Sequence, residues 1–112
     1  MTLLETYNSI LDAKAAEFKE KAKAARAQGD ERTLSICLMQ ASMLGDMLKQ
    51  LGRVDHERIR PGLLEKEADF LEQNSRRISL TGDLDAADRE QIKAHTTRFA
   101  LEALRRLEAE NG

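Results

Sequence analysis

The side chains in this sequence best suited to covalent or metal chemistry are Cys37, His56 and His95, and none has the company such chemistry needs. A reactive cysteine needs a nearby cation or helix N-terminus to hold it as thiolate. Cys37 instead lies within LSICLMQ, an apolar setting in which a thiol is expected to stay inert. A carboxylate-bridged metal pair in a helical bundle needs inward glutamates on separate helices and Glu-x-x-His motifs. Here His95 follows Glu90 by five residues, a spacing that parts them on a helix, and His56 sits among Asp55 and Glu57 in a charged stretch suited to a solvated loop. The glycines punctuate helices and form no phosphate-binding loop. We therefore expect no catalytic, cofactor-binding or metal-ligating residues and no enzyme activity, with an enzyme or metal protein of undefined type as the third-ranked possibility.

The remaining candidates concern recognition. Residues 34–51, LSICLMQASMLGDMLKQL, are apolar on almost every side when plotted at about 100° per residue. Leu34, Cys37, Leu38, Ala41, Leu44, Leu48 and Leu51 make one stripe, and Ile36, Met39, Met43 and Met47 make a second beside it. A helix apolar most of the way round is covered on more than one side, so this segment is expected to be the central helix. The second stripe has two readings: a wide internal face touching two neighbouring helices, or a surface that binds a partner, for which flexible thioethers are well suited. Glu67 and Asn74 lie seven residues apart on the core side of their helix. They are candidates for a polar layer that fixes helix register or partner choice, or else for rim residues paired with a neighbouring cation.

Composition supports a helical frame for these residues. The 112 residues are 41% hydrophobic, 34% charged and 4% aromatic, with one proline. Valine occurs only at position 54, which argues against strands. Length predicts a single domain over 1–112. With 18 basic and 20 acidic residues the chain has a formal net charge of −2, unlike a basic nucleic-acid-binding domain. Small basic patches at Lys19, Lys23 and Arg26, and at Arg98 and Arg105, keep a nucleic-acid-associated accessory role as the alternative. The lone cysteine excludes an internal disulfide, the first residues lack a basic-then-apolar leader, and no apolar run approaches a bilayer's width. The expectation is a cytoplasmic protein without a membrane segment.

Four helices follow from periodicity and punctuation, at about 3–28, 31–51, 61–80 and 86–110. Thr2 and Glu5 match a capping box, Gly29-Asp30 and Thr81-Gly82-Asp83 mark tight turns, and Pro61 suits a first helical turn. Asp85 with Asp88 resembles a further cap, and Gly45 inside the second helix suggests a close helix crossing. A shift of 53 residues lays Gly29-Asp30 on Gly82-Asp83, Leu11 on Leu64, Ala15 on Ala68 and Phe18 on Leu71, whereas the second helices of each pair align poorly. Short links predict an all-α, up-down-up-down antiparallel four-helix bundle built from two hairpins. The functional expectation is a small interaction module, an adaptor, chaperone-like subunit or inhibitor, that binds another protein or a second copy through the second helix.

Overall fold

The computed structural model describes residues 3–51 and 61–111. They form four helices, α1 (Leu3–Ala27), α2 (Glu31–Leu51), α3 (Pro61–Leu80) and α4 (Leu84–Asn111), and no strand. The fold is an all-α four-helix bundle of two hairpins, α1–α2 and α3–α4. Thr2 and the connector carrying Val54, Asp55, His56 and Glu57 lie outside the described residues.

The turns form as their residue types dictate. Gly29 takes a left-handed φ of 73°, a conformation that costs a side-chain-bearing residue about 1–2 kcal/mol. That geometry lets the Asp30 amide reach the Ala25 carbonyl at 2.9 Å and the Gly29 amide reach Arg26 at 3.2 Å, closing the end of α1. Asp30 then caps α2 by accepting from the Thr33 amide at 3.1 Å and the Thr33 hydroxyl at 2.7 Å. These bonds hold its carboxyl below the usual range, the Thr33 hydroxyl contributing most. Gly82 repeats the device at φ 89°, and Asp83 accepts from the Ala86 amide at 3.1 Å. The cap of α4 is thus Asp83, not the expected Asp85, and the helix starts two residues earlier than its periodicity suggests.

The main core joins three helices: Tyr7, Leu11, Ala15 and Phe18 of α1, Ala41 and Leu44 of α2, and Ala100, Leu104 and Leu107 of α4. Each fully buried leucine among them contributes about 1.5–3 kcal/mol of transfer free energy. Tyr7 lies 1% exposed and donates its hydroxyl to the Ala100 carbonyl at 2.8 Å, which resolves the polar end of a buried ring. Burial pushes its phenol up to about 12. At the edge of this core Lys14 sits over two rings, 5.4 Å from the centroid of Phe18 and 5.1 Å from that of Phe99, and ties α1 to α4.

The helix that touches all three others is α4, not α2. Its buried residues, Ala87, Ala94, Thr96, Thr97, Ala100, Leu101, Leu104 and Leu107, spread over about half of its circumference. Many are Ala or Thr, so close approach rather than bulk makes this helix central, which an apolar-content argument misses. In contrast α3 packs on α4 and makes at most marginal contact with α1 or α2. Residue pairing gives its direction. Glu65 meets Arg105, Asp69 and Glu72 meet Arg98, Asn74 meets Glu90 and Ser75 meets Ala87, so α3 and α4 run in opposite senses.

Candidate interaction surface

Helix α2 carries two faces with different fates. Cys37, Ala41 and Leu44 are buried on the side turned to α1. Leu38, expected on that stripe, is 45% exposed; it follows Cys37 directly and so points about 100° away. The other face meets α4 through polar rungs. Arg32 Nη2 is 2.6 Å from Asp88 Oδ2, Arg89 Nη1 donates to Ser35 Oγ at 3.1 Å, and Gln40 Nε2 donates to Thr96 Oγ1 at 3.2 Å. Asp85, expected as a cap, instead flanks Arg89 at 3.4 Å and Arg32 at 3.9 Å.

Ile36, Met39 and Met43 are interleaved with these rungs on the helical wheel, and Met47 follows them to the rim of the core. All four are half-buried. The stripe is therefore neither sealed inside the bundle nor wholly on its surface. It is a methionine-rich seam turned toward α4 and left partly open because contact between α2 and α4 is sparse. Gly45 does not mark a close crossing, since a Cβ built on it meets nothing within 4 Å.

Glu67 and Asn74 are not brought together. Glu67 is exposed on α3, while Asn74 is half-buried and donates through Nδ2 to Glu90 Oε2 at 2.9 Å. Lys93 Nζ holds the other Glu90 oxygen at 2.9 Å. Lys93, opposed by desolvation and helped by Asn74, keeps the Glu90 carboxyl below its ordinary range. The polar layer between α3 and α4 is thus Asn74–Glu90–Lys93, and α4 supplies the members that α3 periodicity alone does not reveal.

The arginines of the basic patches are largely engaged. Arg98 bridges Glu72 at 2.6 Å and Asp69 at 2.9 Å, Arg105 bridges Glu65 at 2.9 Å, and Lys23 lies 3.3 Å from Glu20. Arg98 lowers the Glu72 pKa and has its own raised by that carboxylate and Asp69. On α1, Lys19 and Arg26 remain exposed. Cys37 is 5% exposed and His95 lies at the surface. Among the described residues there is no group of three histidines, cysteines or carboxylates placed to hold a metal ion, and no helix is long and apolar enough to cross a membrane.

Comparison with protein-family models, curated proteins and solved structures finds no match to this chain. Sequence reasoning missed the second hairpin's apolar surface: Leu63 is 64%, Phe70 59%, Leu80 90% and Leu84 68% exposed. Leu80, Leu84 and Ala87 line an open groove of about 530 Å³ beside the α3–α4 turn, with Arg76 and Asp88 on its rim. The available signal was the seven-residue spacing of Leu63 and Phe70, which places both opposite Ala68 rather than beside the core stripe. A smaller hollow of about 320 Å³ lies by Asn8, Ser9, Asp12 and Leu48, where Asn8 Oδ1 is buried without a hydrogen-bond partner among the described residues.

Proposed function

We propose that this chain is a small non-enzymatic protein–protein interaction module, acting in the cytoplasm as an adaptor, chaperone-like subunit or inhibitor, and that its recognition face is the α2 seam. The observation that carries this reading is the half-burial of Ile36, Met39, Met43 and Met47 beside a sparse α2–α4 contact. Apolar side chains left partly wet are a standing gain for a partner that finishes covering them. Unbranched thioethers adjust to a partner's contour with little rotamer strain. The polar rungs at Arg32, Ser35 and Gln40 keep the seam from collapsing onto α4 and offer hydrogen-bonding groups along its length.

The occupant that fits is an amphipathic helix laid along α2, with apolar residues spaced three and four apart meeting the methionines. The test is Met39→Glu and Met43→Glu, singly and together, assayed by circular dichroism, thermal unfolding and co-purification of bound proteins. Variants that keep the helical spectrum and the cooperative transition while losing the proteins retained by the parent chain support the reading. Variants that unfold place the seam inside the core and remove it as a recognition face.

A further inference from the structure

The outward edge of α3 is a stripe with its own chemistry, separate from the α2 seam. Leu63, Lys66, Phe70, Gln73, Arg77 and Leu80 follow at alternating intervals of three and four, so they share one side of the helix for about 26 Å. All six are exposed, opposite Ala68 and Ser75, which are buried against α4. Leu80 carries the line into the groove that it shares with Leu84.

Charge is sorted around this helix. Three of the four carboxylates of α3 are turned to α4, Glu65 to Arg105, and Asp69 and Glu72 to Arg98. The fourth, Glu67, lies off the stripe, beside Asn74 on the helical wheel. The stripe therefore holds two cations and no anion. Lys66 and Arg77 have no ion pair among the described residues. Apolar and cationic side chains interleaved at helical spacing complement a helix that carries apolar and acidic side chains at the same spacing. A broad anionic surface, bilayer or phosphate backbone, also meets Glu67 at one flank and Asp69 at the other, whereas a single helix meets only the line between them.

We propose that the outward face of α3 docks an acidic amphipathic helix of another protein. The apolar residues of that helix pack on Leu63, Phe70 and Leu80, and its carboxylates reach Lys66 and Arg77, whose stems add apolar contact. The site lies apart from the α2 seam, so either can be lost without the other.

The test is titration of the full chain into two labelled synthetic peptides of about 20 residues, followed by fluorescence anisotropy at about 0.15 M salt. Both carry leucines at intervals of three and four; one flanks them with glutamates and the other with lysines. The expected result is saturable binding of the glutamate peptide, about tenfold tighter than that of the lysine peptide. Lys66→Glu combined with Arg77→Glu reverses the preference, which a misfolded variant does not do. Phe70→Ser weakens binding about tenfold with an unchanged helical spectrum. Equal affinity for the two peptides, no saturable binding of either, or binding untouched by the α3 substitutions overturns the proposal. So does a loss caused by Lys19→Glu with Arg26→Glu, which moves the contact to α1, or by a folded Met43→Glu variant while Phe70→Ser has no effect, which moves it to α2. Capture of the chain by phosphatidylserine vesicles through Phe70, with neither peptide bound, makes the stripe a membrane contact and overturns it as well.

Discussion

The two hairpins share a plan and differ in what fills it. Each turns on a left-handed glycine followed by an aspartate cap, Gly29-Asp30 and Gly82-Asp83. Under the shift of 53 residues Ala15 corresponds to Ala68, Ala41 to Ala94, Leu44 to Thr97 and Leu48 to Leu101, and all of these are buried except the half-buried Leu48. The second helices, poorly aligned by residue type, therefore correspond by burial. Between the helices the chemistry diverges. The buried residues of α1 and α2 are apolar apart from the Tyr7 hydroxyl, whereas α3 is fastened to α4 by Arg98, Arg105, Asn74 and Ser75. Gly45 occupies the position equivalent to Arg98, so the clamp of the second hairpin has no counterpart in the first. The lesson is that α1–α2 gains from contact with the core on a second side, while α3, with solvent behind it, relies on directional charge-assisted bonds.

The largest contrast should appear at the equivalent pair Leu44 and Thr97. Leu44→Ala is expected to cost ~2–5 kcal/mol in denaturant unfolding, because it empties a fully buried site. Thr97→Val should cost less than ~1 kcal/mol, since the Thr97 hydroxyl bonds only within its own helix, to the Lys93 carbonyl at 3.0 Å. Equal costs would break the claim that the two hairpins are filled differently.

Tyr7 is the only tyrosine, so its phenolate absorbance titrates one known site, with an expected midpoint of about 12. The unfolded phenol ionises near 10 and the folded one two units later, so the stabilising effect of the neutral ring is complete below pH 10. Between pH 10 and 12 it is lost by up to ~2.7 kcal/mol. Tyr7→Phe should lack that alkaline loss and cost about 1 kcal/mol at neutral pH.

Replacing Arg98 by Met should destabilise only slightly, less than Tyr7→Phe does, as solvent-screened ion pairs do. Its pH signature is more telling. Because Arg98 holds Glu72 below its ordinary value of 4.5, the pair stabilises above that pH and is lost as pH falls through the lowered value. Thermal unfolding followed from pH 6 downward should therefore fall less steeply in the variant. Smallest of all, Gly45→Ala should stabilise by ~0.5–1 kcal/mol, since the site is helical, has an ordinary φ and leaves open space for a methyl group.

Fold class and the ends of the first three helices were legible because they rest on local signals, whereas the start of α4 lies two residues before the expected one. Pro61 starts α3, and Gly29 and Gly82 end α1 and α3 as their types imply. Which helix would be central was not legible. Apolar content pointed to α2, but Ala94, Thr97 and Ala100 let α4 approach three neighbours through small size, a property that hydrophobic periodicity does not weigh. The methionine stripe was visible as a pattern, yet its half-open state depends on how sparsely α2 meets α4. Leu63 and Phe70 face solvent because α3 packs on α4 and only marginally on the other helices, and the number of neighbours a helix finds is not written in its own periodicity.

Recognition through α2 requires its second face to stay accessible in the folded chain. Methyl-labelled methionine spectra with a soluble paramagnetic relaxation agent test it most directly, because each methyl reports its own exposure. Strong relaxation of Met39 and Met43, with leucine methyls of Leu44 and Leu104 protected in the same sample, is the predicted result. Protection of Met39 and Met43 equal to that of Leu44 would contradict it and show the seam to be closed core.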